Sequence, residues 1–126
     1  MKFTFQKDEK LKSRKQIEIL FKEGKNVKSF PLRLIYHPID FEGEFPLKAG
    51  FSVPKSAIKL AVNRNRIKRK IRELYRLNKH EFARDITKTY AFMFVYMAKE
   101  ELPYSELEKS MRKLIVNFKQ KILSDA

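Results

Sequence analysis

The sequence predicts an α+β sandwich, a small mixed sheet packed with helices in the order helix, strand, strand, helix, strand, helix. Three observations carry that prediction. Two segments, "FPLRLIYHP" and "LKAGFSVP", alternate at period two. "TYAFMFVYMA" is a near-continuous apolar run, rich in aromatics and bounded by lysines, as suits a central strand buried on both faces. The remaining long segments repeat apolar residues at helical spacing. With 126 residues and 43% hydrophobic content, the chain has material for one core and reads as a single domain, residues 1–126.

Residues 1–10 are polar and are expected to be flexible. In "SRKQIEILFKEG", Ser13 can cap a helix, Gln16 completes a capping box three residues on, and Gly24 stops it. Ile17, Leu20 and Phe21 share one face of that helix. A strand follows, in which Leu32, Leu34 and Tyr36 alternate against Arg33, Ile35 and His37 until Pro38 ends it. "IDFEGEFP" reads as a turn. The next strand points Leu47, Ala49, Phe51 and Val53 to one side, and the two strands are expected to form a hairpin. The last helix opens at "PYSELE", where Ser105 and Glu108 make a second capping box. Leu107, Met111, Leu114, Ile115, Phe118 and Ile122 then recur at helical spacing.

Charge narrows the function. Twenty-nine Lys and Arg stand against 15 acids, giving +14 and a pI near 10.0. A domain this basic repels itself unless a polyanion is nearby, and nucleic acid is the commonest one. The absence of cysteine removes disulfides, thiolate metal sites and a cysteine nucleophile. No apolar run approaches the roughly 20 residues of a membrane span, and the N-terminus lacks the pattern of a secretory signal. The expectation is a cytoplasmic protein with no membrane partner and no small-molecule substrate.

The charge concentrates in "AVNRNRIKRKIRELYR", which holds seven basic residues and one acid. Placed on a helix over Val62 to Lys79, it has two faces. Ile67, Ile71, Leu74 and Tyr75 form an apolar seam, while Asn65, Lys68, Arg69, Arg72, Arg76 and Lys79 form a basic ridge. Glu73 is the one acid within it, so like charges at i,i+4 cost a few tenths of a kcal/mol each unless phosphates neutralise them. A solvated helix face normally mixes signs; this one does not. Arginine predominates, and its fork binds phosphate through two bonds. The seam is needed for the sheet and the ridge lacks interfacial aromatics, which argues against a membrane-surface helix.

Catalysis by the chain alone finds no support in its residues. The carboxylates are scattered, at 8–9, 40–44, 100–101 and 106–108, and His37 and His80 are solitary. No catalytic residue and no metal site is therefore assigned.

"RNRIKRKIRELYR" resembles the RNR motif of the bacterial ribonuclease P protein subunit. "LKSRKQIEILFKEGK" is similar to that family's first helix, "GFSVPK" to the strand before the motif, and "YSELE" to the start of its last helix. The resemblance implies an α/β sandwich with a left-handed βαβ crossover, similar to a domain of a ribosomal protein. It implies a subunit of an endoribonuclease that removes the 5′ leader from precursor tRNA. The partners would be the ribonuclease P RNA and precursor tRNA, with Mg2+ held mainly by the RNA. By position, Arg64, Asn65, Arg66, Lys68, Arg69 and Arg72 match the motif, and Arg76 closes the segment. Ile17, Phe21, Tyr36 and Lys55 match the cleft that holds the leader. Ile17 stands where the family often has an aromatic, and Ser56 to Asn63 lacks the family's usual glycine. The alternative is a structural RNA-binding protein of ribosomal type with no role in cleavage. A cleft with aromatic faces beside cations would separate the two, since such a cleft suits single-stranded RNA.

Overall fold

Tyr90–Tyr96 decides the architecture. Six of its seven residues are buried, so it offers no polar face to solvent and must be hydrogen-bonded along both edges. The structure is a computed structural model that describes residues 4–5 and 7–124. It contains α1 (Arg14–Glu23), β1 (Lys25–Ser29), β2 (Leu32–Pro38), β3 (Leu47–Ser52), α2 (Ala61–Ala83), β4 (Tyr90–Tyr96) and α3 (Tyr104–Ser124). The sheet has the order β1-β2-β4-β3. β2 is antiparallel to both β1 and β4, and β3 is parallel to β4.

Two expectations are corrected here. The second and third strands do not form a hairpin, because β4 inserts between them: Leu34 and Phe51 both lie opposite Phe94. An all-apolar strand takes the centre, and the eight-residue loop 39–46 is long enough to let its neighbours separate. The hairpin that does form joins β2 to β1, which the reading missed. Its sequence "KNVKS" turns only Val27 inward, and such an edge strand looks like a loop. Phe30 and Pro31, joined by a cis peptide bond, make the turn.

Each face of the sheet has its own core. Leu32, Leu34 and Tyr36 of β2, Leu47 and Ala49 of β3, and Phe92 and Phe94 of β4 meet the inner faces of α2 and α3. Aromatic rings fill that layer: Phe92 and Phe118 lie 5.0 Å apart edge to face, and Tyr75 and Phe94 5.3 Å apart. On the other face, Leu20 of α1 and Leu11 cover Ile35, Ala91 and Met93.

The helix boundaries follow local chemistry, with two exceptions. Ser13 caps α1 as expected, accepting from the Gln16 amide at 3.3 Å. Gly24 ends it, though with φ −69° and not in the left-handed region. It is required by close approach: a Cβ there would stand 2.3 Å from the Leu20 carbonyl oxygen and 2.7 Å from Ile35. α2 runs four residues beyond the expected Lys79. α3 begins at Tyr104, with Pro103 accepting from the Glu106 amide, so Ser105 lies inside the helix and is not its cap.

The described part of residues 4–10 is docked. Lys10 pairs with Ala49 in an isolated parallel bridge, and Phe5 meets Phe51 and Tyr75 edge to face. Glu9 is buried. Positions 1–3 and 6 lie outside the described residues.

Candidate nucleic-acid interface

α2 is two-faced as its sequence requires. Ile67, Ile71, Leu74, Tyr75 and Phe82 are no more than 1% exposed, anchoring the helix to the sheet. Asn65, Arg66, Arg69 and Arg72 are exposed on the outer side, Lys68 and Arg76 half-buried on its flanks. Asn65, Lys68, Arg69 and Arg72 make no hydrogen bond or ion pair among the described residues; Arg72 touches Glu73 only through its field. These side chains have partners to gain.

Other members of the motif are already engaged. Arg64 donates to the carbonyl oxygens of Ile58 and Lys59 at 3.0 and 2.7 Å, tying the loop before α2 to its first turn. That bridge, with Ile58 buried, organises the loop without a glycine; among the described residues no glycine has positive φ. Arg66 forks onto Glu101. Arg76 pairs with Glu73, whose carboxyl is lowered from its ordinary range first by that hydrogen bond.

Lys79 does not belong to the ridge. It is 1% exposed, with its ammonium 2.5 Å from Glu9 Oε1, hydrogen-bonded to the Thr4 carbonyl and 4.6 Å from the centre of the Phe45 ring. The helical wheel places it beside Arg72, but the docked N-terminal segment covers the last turns of α2.

The four residues assigned to a leader cleft fall in different places. Phe21 is 51% exposed on α1, so it is not core. Ile17, one turn earlier, packs against the Leu20–Ile35–Met93 cluster. Lys55 is exposed in the turn after β3. Tyr36 is the correction: it is 2% exposed on the opposite face of the sheet, its ring 5.0 Å from Phe118. It cannot share a cleft with Phe21, because the sheet lies between them.

Alternation brings Arg33 to the α1 side in its place. Arg33 lies opposite Val95, and Val95 opposite Ser52. All three are half-buried, and the Arg33 Nε is buried without a hydrogen-bond partner. This partly open row ends at Ser52, where β3 runs into the Lys55 turn and then α2. The period-two pattern of "LRLIYHP" already set Arg33 apart from Leu32 and Leu34; that signal was available.

Among the described residues no three His, Asp or Glu converge on a possible metal site. No helix among them is long and apolar enough to cross a membrane.

The family profile described as Ribonuclease P matches residues 5–119. The chain is 36% identical to the "Ribonuclease P protein component" of Porphyromonas gingivalis, across 98% of this chain and 93% of that protein. It is 32% identical to the protein of the same name from Finegoldia magna, across 83% and 86%. Among solved structures, the RNase P protein from Thermotoga maritima aligns with a TM-score of 0.68 at 23% identity, covering 86% of this chain and 96% of that one. That of Staphylococcus aureus aligns with a TM-score of 0.66 at 21% identity, covering 86% and 94%. At those identities the structural likeness concerns the fold.

Proposed function

This chain belongs to the ribonuclease P protein family, and from that premise we propose how its two surfaces divide the work. It is the protein subunit of an endoribonuclease of tRNA processing. The outer face of α2 docks on the ribonuclease P RNA: Asn65, Lys68, Arg69 and Arg72 take backbone phosphates, and Arg64 shapes the approach by holding the preceding loop. The face beside α1 receives the single-stranded 5′ leader of precursor tRNA. There Phe21 offers a stacking surface and Lys55 and Arg33 offer charge. Magnesium held by the RNA supplies the hydrolysis; this chain binds and orients. The observation that carries the reading is that Lys68, Arg69 and Arg72 stand together on the outer side of α2 with no hydrogen bond or ion pair among the described residues, since a surface charged only for solubility pairs its signs.

A cleavage assay on 5′-labelled precursor tRNA at low magnesium tests it, with the protein alone, its cognate RNA alone, and both together. Cleavage only in the mixture supports the reading. Cleavage by the protein alone overturns it, and no enhancement by the protein leaves a structural RNA-binding protein.

Phe21→Ala is expected to lower the preference for leader-bearing over mature tRNA by about tenfold, the value of one stacked base. Because Phe21 is half exposed, thermal stability should hardly change. Binding titrations with the two RNAs decide it: equal loss for both would remove Phe21 from the leader surface.

A further inference from the structure

The loop after β4 brings one carboxylate against the basic helix from outside it. Glu101 Oε1 and Oε2 lie 2.9 and 3.0 Å from Arg66 Nε, and Oε1 is 2.6 Å from Arg66 Nη2. Lys70 Nζ reaches Oε2 at 2.7 Å. Asn63 Oδ1 accepts a further bond from Arg66 Nη2 at 2.9 Å. The contact is a forked pair along the Nε–Nη2 edge with a second cation beside it, which is also how arginine and lysine hold a phosphate. Hydrogen bonds from Arg66 and then Lys70 bring the Glu101 carboxyl from 4.5 to about 2. The group is therefore charged at every physiological pH; what the clamp contributes is present above about 4.5 and lost only as pH falls towards 2.

We propose that Glu101 is an internal competitor for RNA, filling the Arg66–Lys70 anion site in the free protein until a backbone phosphate displaces it. The inference rests on the reading that the outer face of α2 meets RNA. A site of two cations already holding one anion gives an incoming phosphate less than two bare cations would. Asn63 keeps the guanidinium oriented once the carboxylate leaves, so the phosphate meets a prearranged fork. Lys70, outside the ridge as read from the sequence, then joins the RNA-binding set. Glu101 supplies no contact of its own to the complex; its effect is to lower affinity.

Glu101→Gln keeps the shape and removes the charge. In fluorescence titrations with the cognate ribonuclease P RNA it should bind about fivefold tighter than wild type near 0.15 M salt. The slope of log affinity against log salt should change by less than about one unit, because a phosphate occupies the Arg66–Lys70 site in both complexes and the same number of phosphate contacts forms. Glu100→Gln, the same loss of charge one residue away, should shift affinity less than twofold. In an Arg66→Ala, Lys70→Ala background, Glu101→Gln should have no effect. Binding equal to or weaker than wild type, with an unchanged circular-dichroism melt, would overturn the proposal and make Glu101 a support for Arg66. An effect persisting without Arg66 and Lys70 would reduce it to general charge and overturn it as well. A wild-type protein that does not bind the RNA would instead refute the docking of α2, and the inference with it.

Discussion

Alanine at both Arg69 and Arg72 is expected to weaken binding to the ribonuclease P RNA by about 10- to 100-fold at moderate salt. The salt slope should fall by roughly 1.4 to 1.8 units, one counterion for each lost phosphate contact. Both side chains are exposed, and neither forms a hydrogen bond or ion pair among the described residues. Their removal therefore leaves no orphaned partner in the protein. They are also like charges one turn apart, so the melting temperature should hold or rise slightly. Arg64→Ala is a different experiment, because it also strips the Ile58 and Lys59 carbonyls of their donor and loosens the loop before α2. Filter binding across a salt series separates the two cases. Wild-type affinity and slope in the double variant would mean that the ridge is solvated and RNA docks elsewhere.

The second large effect concerns stability. Glu9→Ala is expected to cost about 3–5 kcal/mol, because it leaves the Lys79 ammonium buried without its carboxylate. On a typical domain stability of roughly 5–15 kcal/mol this is a large fraction, and the melting temperature should fall by about 10 °C or more. Replacing both partners with apolar residues, Glu9→Leu with Lys79→Met, should recover most of the loss, since no charge is then left in a dry site. Urea denaturation of the three proteins tests this. A Glu9→Ala protein within about 1 kcal/mol of wild type would mean that the N-terminal segment releases and lets water reach Lys79.

Several parts of the molecule were legible in advance for local reasons. The Ser13 cap needs only its own hydroxyl and the backbone N–H three residues on, and the core strand β4 announces itself because both its faces are apolar. The hairpin expected between β2 and β3 conflicted with a central β4. A three-stranded sheet with β4 in the middle already forbids that pairing, so the conflict could have been resolved from the pattern alone. β1 could not, since a strand with one inward residue leaves almost no period-two signal. Alternation also set Tyr36 with Leu32 and Leu34 and apart from Arg33. It could not tell which group would face α1, because β2 is apolar enough to be covered on both sides.

The sequence by itself determined the two-faced α2, the buried strand at its end and the net charge that calls for a polyanion. Each is a property of spacing within one segment, and helical and strand periods act over a few residues. Only the tertiary structure decided which cations are available to RNA. Lys79 meets Glu9 from 70 residues away, and Arg66 meets Glu101 from 35. A helical wheel counts all of these as ridge or flank. Whether a charge faces water, a buried carboxylate or a carboxylate that a phosphate can displace depends on segments the wheel does not contain, brought together when the two faces of the sheet are covered.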